Sequence, residues 1–234
     1  MKSPIDKFIS NLSSLELPNV FNPYAHVCKI HDKPSANSIR QNSLRDYLTA
    51  ALENNIETMW FGRDLGYRGG RRTGIALTDE AHLSLLSRIC GSPNITKATT
   101  GEIVAERTAN VIWGLILEMK MLPFLWNAFP YHPHEPEDDM SNRTHSKKEL
   151  DIAWRINEEL LNILQPKIIV AIGGDAKNAL EKHGVACQTV RHPSYGGQAD
   201  FITGMRRIYK LDKLNQSADL ELLASGDYLR ARRN

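Results

Sequence analysis

The stretch T-M-W-F-G-R-D-L-G-Y-R-G-G-R-R-T-G, residues 58–74, begins as a strand and ends as a glycine-rich turn. It opens inside a strand-length segment, Ile56 to Phe61, whose last three residues are all apolar. Gly62 ends that run, and the turn holds one carboxylate, Asp64, among four arginines: Arg63, Arg68, Arg71 and Arg72. Glycines let the backbone come close to a ligand, because nothing projects from them. In open α/β sheets ligands bind in the crevice at the carboxyl ends of the strands, which is where Asp64 would lie. The same residues would also suit an arginine-laced surface turn in which Asp64 caps a helix.

Upstream, Leu44, Tyr47, Leu48, Ala51 and Leu52 recur at helical spacing, with Ser43 placed to cap them. Residues 1–43, rich in Pro, Asn and Ser, read as an irregular arm packed on the domain. Downstream come a helix over 77–88 with Thr78 as its cap, a short helix from Val111 to Lys120, and a strand over 123–129. The prolines and charges of 131–145 predict a long loop of the functional kind. A helix over 146–164 follows, with Leu150, Ala153, Trp154, Asn157, Leu160, Leu161 and Leu164 on one face. The run K-I-I-V-A-I (167–172) is a strand, and Gly173-Gly174 opens a helix that Gly184 ends. A strand over 187–190 leads into R-H-P-S-Y-G-G (191–197), a last helix over 199–210 and a polar tail ending R-A-R-R-N. Strands alternating with helices imply right-handed crossovers. The expected fold is α/β, a three-layer α/β/α sandwich around a central, mostly parallel four-stranded sheet, with residues 44–234 as a single domain.

The chain has 234 residues, 41% hydrophobic and 24% charged, a size and composition that suit one domain with a sizeable core. Its net charge of +2 decides little by itself. Cys28, Cys90 and Cys187 form no Cys-x-x-Cys pair, which suggests neither a zinc site nor a disulfide framework and points to a reducing compartment. The start M-K-S-P-I-D-K-F lacks the apolar core of a signal peptide, and no apolar run approaches the ~18 residues of a membrane span. The expectation is a cytoplasmic monomer, nucleoid-associated if bacterial, with no membrane partner.

Three strand ends carry unusual polar residues: Asp64 after the first, Asn127 at the tip of the second and His192 after the fourth. A parallel sheet brings all three to one rim. Singly, Asn127 reads as a capped strand end and His192 as a loop histidine.

Together, G-R-D-L-G-Y-R-G-G-R-R-T-G-I-A-L-T-D-E (62–80), L-W-N-A-F-P-Y-H-P-H…S-N-R-T (125–144) and R-H-P-S-Y-G-G (191–197) resemble, in order and spacing, the motifs of the uracil-DNA glycosylase superfamily. The turn is similar to that superfamily's Gly-x-Asp-Pro active-site loop, and T-G-I-A-L (73–77) to the loop of its single-strand-selective monofunctional branch. The resemblance implies a monofunctional DNA glycosylase that hydrolyses the N-glycosidic bond of uracil, or of another deaminated base, flipped out of DNA. It implies Asp64 and His192 as catalytic groups and Asn127 as the reader of the base. His192 would act as a neutral donor, its imidazolium disfavoured by Arg191. Gly62, Arg63, Leu65, Gly66, Tyr67, Leu77 and Phe129 would line the base, and no metal or cofactor is implied. Leu65 stands where the family has Pro, and His145 where Pro is usual after N-R-T. Leu77 replaces a Phe, so the aromatic platform beneath the base is either missing or supplied by Tyr67 or Phe129, or else Tyr67 fills the space a thymine methyl would need. DNA would be held by Arg68, Arg71, Arg72, Asn142, Arg143, Pro193, Ser194, Tyr195, Gly196 and Gly197, with Tyr195 as a wedge. Three arginines on phosphates would steepen the salt dependence of binding by about 2–3. The iron–sulfur branch needs four cysteines, one more than the chain has.

Rival readings are a catalytically weak or inactive module that binds modified bases or DNA without cleaving, and a metal-dependent hydrolase built on His132, His134 and His145 with Glu135, Asp138 and Asp139. A nucleotide-binding protein using I-G-G-D-A (172–176) is a third, weakened by the lack of G-x-G-x-x-G.

Overall fold

The computed structural model describes residues 3–211. Its order is α1 (Pro4–Ser13), β1 (Val20–Phe21), α2 (Ala36–Glu53), β2 (Thr58–Asp64), α3 (Gly70–Thr73), a 3-10 turn (Glu80–His82), α4 (Leu83–Cys90), α5 (Arg107–Met119), β3 (Phe124–Phe129), β4 (His132–Pro133), α6 (Lys147–Leu164), β5 (Ile168–Ile172), α7 (Gly174–Lys182), β6 (Gln188–Val190) and α8 (Gln198–Tyr209). The central sheet has the order β3-β2-β5-β6, and every neighbouring pair is parallel. β1 and β4 form a small antiparallel ribbon apart from it.

Side-chain alternation along the strands builds the three layers. On one face Trp60 meets Phe201 and Tyr209 of α8, and its indole N–H donates to the Tyr209 hydroxyl at 2.7 Å. On the other, Phe124 stacks on Tyr47 of α2 at 4.5 Å, and Trp126 meets Phe8 of α1 and donates to Asn157 of α6 at 2.8 Å. A sheet covered on both faces needs strands apolar along their whole length, and every residue of β3 is buried. α6 opens with a complete capping box, Ser146 against Glu149, which fixes where the long loop gives way to helix.

Several local expectations are corrected. The N-terminal segment is not irregular: Ser3 caps α1, Pro4 takes its first turn, and Phe8, Ile9 and Leu12 enter the core. α2 begins at Ala36, so Ser43 is a buried mid-helix residue bonded to the Asn94 carbonyl. Asp79 rather than Thr78 caps the turn before α4, while the Thr78 hydroxyl is buried against Ala76 and Trp113. β2 runs on through Gly62 to Asp64, because β3 continues beside it as far as Phe129. The polar tail lies outside the described residues. Among these, no helix is long and apolar enough to cross a membrane.

Candidate active site

A cleft of about 520 Å³ opens at the carboxyl ends of β2, β3 and β5 and beneath the loop after β6. Asp64, Asn127 and His192 all line it.

Asn127 pairs across the ladder with Gly62 and is 2% exposed. A Cβ on Gly62 would collide with the Asn127 amide oxygen, so a side chain there would displace the amide. That oxygen is buried and has no hydrogen-bond partner. Such a group costs about 1–3 kcal/mol unless something fills the need, which marks it as waiting for a donor.

His192 is oriented by Ser194, whose backbone N–H and hydroxyl both reach Nδ1, at 3.2 and 2.7 Å. A backbone N–H can only donate, so Nδ1 accepts and the proton of the neutral ring sits on Nε2. Burial, and after it the Arg63 charge, push the His192 pKa below its ordinary 6.5, against smaller opposing pulls from Asp175 and Asp64. The sequence expectation credited Arg191 with this, but Arg191 pairs with Asp200 at 2.8 Å. Gly173 has φ +93°, and a Cβ on it would press on His192 at 3.3 Å.

Asp64 Oδ2 receives Arg63 Nε at 2.8 Å and faces His145 Nδ1 at 3.3 Å. Arg63 also reaches Asp175, at 3.2 Å. Where the resembled loop has Pro, Leu65 donates its N–H to the Tyr131 carbonyl at 3.0 Å and packs its side chain against Gly70. The apolar wall is aliphatic: Leu65, Leu77 and Ile172. Leu77 holds φ +54°, a left-handed backbone that costs a residue with a Cβ roughly 1–2 kcal/mol. Neither candidate platform is in the wall. Phe129 is buried between Tyr131 and His145, and Tyr67 lies outside the wall beneath the Arg68 guanidinium.

The arginine turn is less exposed than its composition suggests. Arg68 is exposed. Arg71 is 1% exposed, its guanidinium 3.8 Å over the Phe21 ring and donating to His132 Nδ1 and the Asp139 carbonyl, both at 2.8 Å. Arg72 turns to Glu80 at 3.1 Å, and Arg143 is held by Glu149, His134 and Asn19. None of these three is free for a phosphate. Pro193 is buried, and the Gly197 N–H is used on the Ser194 carbonyl. Tyr195 is 99% exposed at the cleft rim, at φ +49°, with Gly196 following at φ +77°.

Arg71 instead anchors a chain of bonds. The Tyr67 N–H donates to Asn142 Oδ1 at 3.0 Å, and His132 Nε2 reaches the same oxygen at 3.2 Å. Obligatory donors at both ends, the Arg71 guanidinium and the Tyr67 amide, make His132 accept at Nδ1 and donate from Nε2. Burial, then the Arg71 charge, lower the His132 pKa to about 3. With both ring nitrogens committed, His132 is a strut. Among the described residues no three His, Cys, Asp or Glu side chains gather to hold a metal.

Glu106 and Thr108 also line the cleft without having been expected at any site, and Gly173, Gly174 and Asp175 come from the I-G-G-D-A segment read above only as a weak nucleotide-binding motif. Burial and the Asp79 charge raise the Glu106 pKa above 4.5, and its carboxyl fits where Gly66 and Gly69 have no side chains.

No protein-family model matches the sequence, and no curated protein matches it. The fold of the chain is similar to that of solved structures. One of them is wild-type SMUG2 from Pedobacter heparinus, a crystal structure with a TM-score of 0.59 at 16% identity, matched over 90% of this chain and 98% of that one. At that identity the likeness is one of fold.

Proposed function

We propose that the protein is a monofunctional DNA glycosylase that hydrolyses the bond between deoxyribose and a deaminated base, uracil first, extruded from DNA. One observation carries the reading: Asp64, Asn127 and His192 share a single cleft, and the Asn127 amide oxygen in it is buried without a partner. A side-chain amide pairs with the imide N–H and carbonyl of uracil and rejects cytosine, whose pattern there is reversed. Bond cleavage leaves negative charge on the pyrimidine and cationic character on the sugar. The His192 Nε2–H is the donor for the base carbonyl, the kind of preorganised contact worth about 10²–10³ in rate. Asp64, with Arg63 and His145 on Oδ2, offers Oδ1 to the attacking water and the sugar cation. None of these roles calls for a metal or cofactor. Arg68, Ser194, Tyr195 and Gly196 supply the DNA contacts, and Asn142 has an NH2 for a substrate oxygen. The partner is DNA, bound by a cytoplasmic monomer.

The aliphatic wall favours a second reading, a catalytically weak or inactive module of the same fold that binds modified bases. One assay separates them. Oligonucleotides carrying uracil, hypoxanthine or xanthine, single- and double-stranded, are incubated without added metal and scored for alkali-labile abasic sites. Asn127→Ala and His192→Ala should each lose about a hundredfold or more in turnover, and Asp64→Asn should lose turnover while keeping binding. Near-wild-type rates in all three variants would remove the assignment, and an inert wild type that still binds would leave the module.

A further inference from the structure

His145 enters the site from a part of the chain distant from Asp64, yet its Nδ1 lies 3.3 Å from Asp64 Oδ2. Both side chains are nearly buried, at 7% and 9% exposure. The imidazole stacks on Phe129 with centroids 5.0 Å apart and an interplanar angle of 27°. Phe129 is the residue opposite Asp64 in the β2–β3 ladder and is itself wedged edge-on against Tyr131. The plane of the imidazole is therefore set by the same pair of strands that presents the carboxylate. An ionised carboxylate has only lone pairs to offer, so the bond requires the proton on Nδ1. His145 then carries a proton on the ring nitrogen that in His192 accepts from the Ser194 N–H.

We propose that His145 is a positioning residue: it donates its Nδ1–H to Asp64 Oδ2 and, with Arg63 on the same oxygen, turns Oδ1 toward the cleft. The chemistry this serves rests on the glycosylase reading, whereas the contact itself rests on geometry alone. A contact of this length in a ligand-free site is the sort that tightens when substrate closes over it.

The test uses the full-length protein and two substitutions. His145→Phe keeps a ring on Phe129 and removes the donor, while His145→Asn places an amide N–H close to where Nδ1 was. The Phe variant should lose about ten- to a hundredfold in single-turnover rate, the scale of a misplaced catalytic group, with the Kd for uracil-containing DNA within about twofold of wild type. The Asn variant should recover most of that loss. A Phe variant at the wild-type rate, or an Asn variant no better than Phe, overturns the proposal. A second readout needs no turnover: nitrogen-15 imidazole spectra of the ligand-free protein, with His145 identified by the signal missing from the variants. Protonated Nδ1 is expected at His145 and protonated Nε2 at His192. An Nε2–H tautomer at His145 overturns the contact whatever the substrate. A wild type inert on every oligonucleotide would instead count against the reaction, with the spectrum still deciding His145.

Discussion

Arg63 touches two carboxylates, and its charge also reaches His192. Because burial and then Arg63 depress the His192 pKa, the imidazole stays neutral on acidification past 6.5 and charges only below that. The sign follows for both rate and stability. A donor that must be neutral gives a rate that holds through pH 6.5 and falls on its acid side, and the fold loses stability there because the unfolded chain takes up that proton more readily. Arg63→Gln removes one cause of the depression, so the acid limb of kcat/KM should move up toward 6.5. A limb that stays put or moves down would mean His192 is not the group titrating. At this scale the sequence was readable where a candidate residue lies at or near the end of a strand. Asp64 ends β2, Asn127 lies two residues short of the end of β3 and His192 two residues beyond β6, and parallel pairing brings those ends together. Glu106 and His145 arrive on loops, whose paths are set by distant contacts such as the Glu106 N–H to Asp79 at 2.5 Å. No local pattern announces those.

Among the elements, α3 decides the fate of the arginine run. Successive residues on a helical turn point about 100° apart, so this four-residue helix sends Arg71 inward over Phe21 and Arg72 toward Glu80. Composition read the pair as solvated, since nothing in R-R-T-G shows a ring waiting in β1. The β1–β4 ribbon is two residues per strand, too short for any period to show, yet it aligns Phe21 with His132. Arg71→Met should keep much of the packing on Phe21 and strand the His132 Nδ1 and the Asp139 carbonyl. Leaving the buried His132 Nδ1 unpaired costs about 1–3 kcal/mol, to be read from the urea midpoint. Turnover should fall too, because Asn142 and the Tyr67 amide hang from that chain. A variant as stable and active as wild type would reduce the chain to coincidence. α1 carried a readable signal, Ser3-Pro4 before Phe8, Ile9 and Leu12, that the polar composition of residues 1–43 outweighed.

For the molecule as a whole, net charge gives little attraction to DNA, so the proposed association depends on where its cations stand. With Arg71 and Arg72 turned inward, only Arg68 of the expected trio faces solvent. Arg68→Ala should make the plot of log K against log salt shallower by about one unit, the effect of one phosphate contact, and Arg72→Ala should leave the slope alone. An Arg68 variant with an unchanged slope would take the turn out of the interface. The fold class was legible throughout, because four apolar runs separated by helices permit few sheets. Asn127 has a larger consequence. In folding, the chain buries an amide oxygen without giving it a protein donor, which costs the fold some of the stability its sequence could reach. A base that brings an N–H relieves that frustration, and one that brings a lone pair deepens it. Fidelity in the proposed reaction would then be stored as strain in the fold, and a substitution that made the fold more comfortable would make it less discerning.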